Sequence, residues 1–167
     1  TSYLLASTVS TPLYGKLGDM LGRKPVFLAA ILTFLAGSML AGLSQSMVEL
    51  IGFRALQGIG AGGLMVGAQA IIGDIVPPRE RGRYMGLIGS VFAVASVAGP
   101  LLGGFLVDNL SWRWVFYVNM PVGALAVAIV VTRLHLRTPT IRHKIDVLGA
   151  VLLSGGVGAL IMLTTWG

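Results

Sequence analysis

Arg54 is a charge set inside an apolar stretch, and Gln57 follows it three residues on. On a helix that spacing puts both side chains on one face, within reach of each other. If the stretch lies in a bilayer, a guanidinium near its middle costs at least ~2.5–3.5 kcal/mol, so it must face a cavity or a partner, or send its long stem out to the interface. Arg54 stands about six residues, about 9 Å of helix rise, from the outer end of its stretch. Two readings are open from the residues: a cavity-lining Arg that binds a substrate or governs a proton-carrying carboxylate, with Gln57 sharing the cavity, or an outward-reaching anchor.

A second group is charged and lies at stretch ends. Asp19, Arg23 and Lys24 occupy a short connection containing Gly15, Gly18 and Gly22, and Asp74 closes a later apolar stretch. An Asp19–Arg23–Asp74 cluster forms if the two connections share a membrane face; otherwise these are solvated charges worth little each. A third group is Gly99-Pro100, in the middle of another stretch. Pro removes a backbone donor and kinks a helix. Gly103 and Gly104 leave one side without side chains, which suits either a gating surface or plain packing. Hydrolytic chemistry finds no support: the only histidines, His135 and His143, share one basic connection, and there is no cysteine and no Walker-type phosphate loop.

The elements that must position these residues follow from composition. The chain has 167 residues, 55% hydrophobic and only 11% charged, against about 25% charge in a soluble domain, and its mean hydropathy is +0.87. Charge-free runs cover 25–48, 55–73, 84–107, 114–132 and 147–167. Each meets the roughly 20 residues that a bilayer crossing takes. The opening run, 1–15, is shorter and reads as the tail of a truncated span. The expected fold is therefore an all-α membrane protein of about six helices, the first incomplete. Continuous rather than alternating hydrophobicity disfavours a β-barrel. Small-xxx-small spacings at Gly58/Gly62, Gly63/Gly67 and Gly99/Gly103 suit close helix packing in lipid.

Basic residues set the orientation. Lys16, Arg23 and Lys24 mark the first connection, Arg79, Arg81 and Arg83 the third, and Arg133, Arg137, Arg142 and Lys144 the fifth. The second, near 44–47, has none; the fourth, 108–111, has none, although Arg113 follows it. The alternation places the first, third and fifth connections in the cytoplasm. A pI near 10.3 thus reflects topology, and no nucleic-acid partner is expected. Trp112, Trp114 and Tyr117 suit an outer aromatic belt or ordinary packing. The chain starts without Met inside an apolar run and reads as a segment whose remainder would be its first partner, together with the lipid bilayer.

These residues resemble signatures of the major facilitator superfamily. GKLGDMLGRKP (15–25) is similar to the loop between helices two and three, with Gly15, Asp19, Gly22, Arg23 and Lys24 in place and Met20 where a basic residue is usual. RALQGIGAGG (54–63) resembles the helix-four signature through Arg54, Gln57, Gly58 and Gly60, with Gly62 beyond. GPLLGG (99–104) resembles the helix-five antiporter signature, with Ala95 replacing its usual Gly. SWRWVFYVNMPVG (111–123) is similar to the start of helix six in fourteen-helix drug:proton antiporters, and Asp74 with PPRERGR (77–83) also fits.

The resemblance implies a partial major facilitator helix bundle. Residues 1–132 would be helices two to six of the N-terminal bundle, 133–146 a cytoplasmic basic loop, and 147–167 helix seven, a linker helix. It implies a proton-coupled exporter of drugs or other small amphipathic molecules, multi-pass in the plasma (inner) membrane. Its partners would be protons and a small-molecule substrate; it would need no cofactor and no metal, and would not be an enzyme. It also implies a cytoplasmic latch (Gly15, Asp19, Gly22, Arg23, Lys24 and Asp74), proton coupling through Arg54, and an export gate at Gly99, Pro100, Gly103 and Gly104. A metabolite importer is the alternative. None of the six acidic residues lies deep in a complete span, so the proton carboxylate is expected elsewhere in the intact protein.

Overall fold

In the computed structural model, residues 1–134, 149, 152, 155–160 and 163 are described. The chain builds α1 (Ser2–Leu21), α2 (Arg23–Leu43), α3 (Met47–Ile75), α4 (Arg81–Asn109), the short α5 (Trp114–Tyr117) and α6 (Asn119–Arg133). Among the described residues, Arg23–Leu43, Met47–Ile75, Arg81–Asn109 and Trp114–Arg133 are long and apolar enough to cross a membrane. α1 has 20 residues, but Ser7, Thr8, Ser10, Thr11, Lys16 and Asp19 dilute its hydropathy. The basic connection at 133–146 lies outside the described residues past Leu134, including His135, Arg137, Arg142, His143 and Lys144. Most of the expected helix at 147–167 does too; its described positions are helical.

The first connection is shorter than its glycines suggest. α1 runs on through Gly15, Lys16, Gly18 and Asp19 to Leu21, so only Gly22 separates it from α2. Gly22 has φ 98° and ψ 145°, a region open to glycine and closed to other residues. Gly15 and Gly18 are helical instead, and Cβ atoms there would make ordinary contacts, 3.6 Å from Val66 and 3.5 Å from Arg23. Replacing Gly22 by Ala is expected to cost about 1–3 kcal/mol, read as a lower melting midpoint of the detergent-solubilised protein.

α3 begins at a capping motif in which the Ser46 hydroxyl accepts from the Glu49 N–H at 3.2 Å, while the Glu49 carboxylate accepts from the Gln45 N–H at 2.8 Å. Its glycines then serve two neighbours. Gly58 and Gly62 lie against the α1 backbone at Tyr3 and Ser7, and Ser10 donates to the Ile59 carbonyl at 3.1 Å. Gly60 lies against the α2 backbone at Ala30 and Phe34, and Gly37 of α2 lies against Gln57 in return. The buried centre accordingly sets the small Ala30, Ser38 and Ala41 beside the larger Ile31, Leu35 and Gln57. Without a hydrophobic drive between helices in lipid, such contact and interhelical hydrogen bonds are what hold a bundle. α6 joins through Gly123, whose Cα faces Leu35.

α4 is different. No residue of it is buried, and Leu101 and Val91 are 71% and 67% exposed. The helix continues through Pro100.

Candidate functional site

Arg54 sits in the first third of α3, and its guanidinium turns toward the interior of the span. Nη1 donates to Gln57 Oε1 at 2.8 Å, one turn further from the helix start. The guanidinium carbon stands 4.3 Å from the Tyr3 ring centre and 5.7 Å from that of Phe116. A cation over aromatic faces is stabilised by the ring quadrupole, more so where water is excluded. Of the two readings open from the residues, this geometry is that of an Arg held by partners: α1 supplies Tyr3, α3 supplies Gln57, and α5 supplies Phe116. Gln57 is 2% exposed and also donates from Nε2 to Ser38 Oγ at 3.0 Å.

The charged residues form a second cluster where α1 ends, α2 begins and α3 ends. Arg23 Nη2 lies 2.6 Å from Asp19 Oδ1, and its Nε lies 3.1 Å from Asp74 Oδ2. One guanidinium thus bridges two carboxylates from two helices. The carboxylates remain 53% and 43% exposed, which keeps each pair near ~0.2–1 kcal/mol. Lys24 turns elsewhere: its Nζ donates to the carbonyls of Val131 at 3.0 Å and Leu134 at 2.7 Å, closing the C-terminal end of α6, where a cation is favoured. Arg81 donates to the Val76 carbonyl at 3.1 Å and the Gly73 carbonyl at 2.5 Å. Arg23, Lys24 and Arg81 therefore share one end of the bundle. At the opposite end Arg113 donates to the Ser44 carbonyl at 3.0 Å and lies 4.8 Å over the Trp112 ring.

The sequence profile of the Major Facilitator Superfamily matches residues 1–166. The chain belongs to that superfamily. Among curated major facilitator proteins it is 48% identical over 167 residues to an MFS-type transporter of Mycobacterium tuberculosis, covering 100% of this chain and 24% of that protein. It is 42% identical to the multidrug transporter protein MdtP of Bacillus subtilis, over 100% of this chain and 31% of the relative. It is 47% identical to multidrug resistance protein 3 of the same organism, over 91% and 30%. The chain thus spans about a quarter to a third of the length of these relatives. A crystal structure of an auto-inhibited peptide transporter of the POT family superposes with a TM-score of 0.71 at 20% identity, covering 90% of this chain and 31% of that one. That likeness shows the fold.

Within this major facilitator bundle, the sequence-derived site residues fall into separate places. Arg54 and Gln57 touch each other, and Asp19, Arg23 and Asp74 form one cluster. Gly58, Gly60 and Gly62 are the α3 contact points described above. Gly99, Gly103 and Gly104 have nothing within 4 Å of a Cβ position among the described residues. The aromatic trio divides: Trp112 and Trp114 are 39% and 48% exposed, whereas Tyr117 packs on Gly42 of α2. Sequence reasoning missed Ser38, Asn119, Tyr3 and Phe116. The signal for Asn119 was an amide in an otherwise apolar run; nothing local distinguished Ser38 from the other small residues.

Proposed function

We propose that this chain is the part of a secondary transporter that carries helices two to seven, and that the intact protein exports drugs or other small amphipathic molecules from the cell in exchange for protons. The observation that carries the reading is Arg54, a cation kept within a membrane span by Gln57, Tyr3 and Phe116. Such a charge is expensive and marks a substrate or ion path. The multidrug names of MdtP and multidrug resistance protein 3 support that substrate class. The energy source is the proton gradient, with no cofactor and no bond-making chemistry, and the site of action is the plasma membrane.

In this mechanism two bundles rock about a central site near the bilayer midplane. Residues 1–132 belong to the first bundle, 133–146 form its cytoplasmic connection, and 147–167 start a linker. Arg54 answers protonation of a carboxylate on another part of the chain. The Asp19–Arg23–Asp74 cluster latches the cytoplasmic ends in one state, and Gly99, Pro100, Gly103 and Gly104 face the second bundle, where they control opening.

The test uses the full-length protein in everted vesicles with an acidic interior, with ethidium as the probe. Ethidium should accumulate well above protein-free vesicles, and nigericin should abolish the accumulation. No gradient-driven movement of ethidium or of a panel of amphipathic cations would overturn the reading. Asp19→Asn removes one ion pair of about 0.2–1 kcal/mol, so the balance between states should shift by up to about fivefold. The transport rate should fall by a similar factor with expression unchanged, and a normal rate would remove the latch role.

A further inference from the structure

The hydroxyl of Ser38 is 0% exposed and is shared by four elements. It accepts from Gln57 Nε2 of α3 at 3.0 Å and from Asn119 Nδ2 of α6 at 3.0 Å, and it donates to the Phe116 carbonyl of α5 at 2.9 Å. A serine hydroxyl has one proton and two lone pairs, so all of its capacity is used. The direction of each bond is fixed by groups at the two ends that act only one way. The Arg54 guanidinium can only donate, so Gln57 must turn Oε1 toward it and Nε2 toward Ser38. The Phe116 carbonyl can only accept, so Ser38 must spend its proton there and meet both amides as an acceptor.

Ser38 therefore reaches Arg54 by two routes without touching it. Through Gln57 it sets which end of the amide meets the guanidinium. Through the Phe116 carbonyl it fixes the residue whose ring stands 5.7 Å from the guanidinium carbon. Asn119 completes the junction and ties the start of α6 to it. A saturated network in a low-dielectric setting has no slack: losing one member leaves another polar group unpaired.

We infer that Ser38, supported by Asn119, is the positioning residue that holds the Arg54 guanidinium in its working orientation, so that movement of α5 and α6 relative to α2 is felt at Arg54. The functional half of this inference rests on the transport reading above; the positional half does not. The assay is therefore the reactivity of Arg54 itself. The full-length protein in detergent is treated with phenylglyoxal, and modification at each Arg is followed by peptide mass spectrometry, with Arg81, at the other end of the bundle, as internal reference.

Ser38→Ala should speed modification of Arg54 by roughly 2- to 10-fold, the range expected for losing one buried hydrogen bond, while Arg81 is unchanged. Ser38→Thr, which keeps the hydroxyl, should restore the slow rate. Asn119→Ala, should Ser38→Ala not fold, is expected to act in the same direction. Equal Arg54 reactivity in the wild type and in folded Ser38→Ala or Asn119→Ala protein overturns the inference. If Arg54 reactivity rises while the wild type moves neither ethidium nor any of the panel of amphipathic cations, the positioning stands and the exporter reading fails. If the wild type exports and folded Ser38→Ala exports with unaltered KM and rate despite faster modification, the functional half is overturned.

Discussion

Arg54→Ala is expected to reduce gradient-driven export to background, a loss of at least about 100-fold, with protein levels close to the wild type. Two opposing effects set that expectation for protein levels. Removing a charge from a span relieves a cost of roughly 2.5–3.5 kcal/mol on insertion scales. Truncation also leaves Gln57 Oε1 without its donor, a penalty of about 1–3 kcal/mol, and removes the contacts with the Tyr3 and Phe116 rings, about 0.5–2 kcal/mol more. They nearly cancel, so a large loss of transport would not come from a loss of folded protein. Arg54→Lys should rescue poorly, because an ammonium lacks the planar group that lies over the Tyr3 and Phe116 rings while bonding Gln57. The measurement is proton flux elicited by ethidium in vesicles. Retention of that flux by Arg54→Ala would reduce Arg54 to a packing residue.

Gly60→Val should have the largest structural effect. A Cβ on Gly60 would stand 2.7 Å from the Ala30 carbonyl oxygen and 2.7 Å from Phe34 Cα. Both are backbone atoms of α2, so no side-chain rotation relieves the clash and the helix itself must move. Overpacking of this kind costs typically 1–3 kcal/mol and occasionally more, and valine adds two further carbons. The displaced α2 also carries Gly37, whose own Cβ position lies 2.6 Å from Gln57 Cα, and Ser38 beside it. The Ser38–Gln57 bond should therefore be lost with the packing. The expected outcome is a sharply lower melting midpoint in detergent and faster phenylglyoxal modification of Arg54. Gly52→Ala on the open side of α3, with nothing within 4 Å among the described residues, should leave both unchanged. A stable Gly60→Val protein would mean that α2 and α3 do not approach through backbone.

The intramembrane character of the chain was legible in the sequence because hydropathy and charge position are local properties. Continuous apolar runs located α2, α3, α4 and α6, and the alternation of basic connections anticipated that Arg23, Lys24 and Arg81 share one end. Arg54 was legible for the same reason: a cation inside an apolar run stands out wherever the helix goes. The Asp19–Arg23–Asp74 cluster was legible as a possibility, since it needed only two connections at one membrane face.

What the tertiary structure decided were the partners. Gly15, Gly18 and Gly22 look alike in the sequence, yet Gly22 alone takes a positive φ, while the other two are helical. Lys24 and Arg23 are adjacent, yet one caps α6 and the other bridges Asp19 and Asp74. Ser38 is one small residue among many in α2, and it becomes the junction of four elements only because Gly37 and Gly60 let α2 and α3 touch. The reason is physical: whether a stretch enters lipid is a sum over its own residues, whereas which small or polar residue meets which is set by the rotation and register between helices, and that is fixed by close contact across the interface.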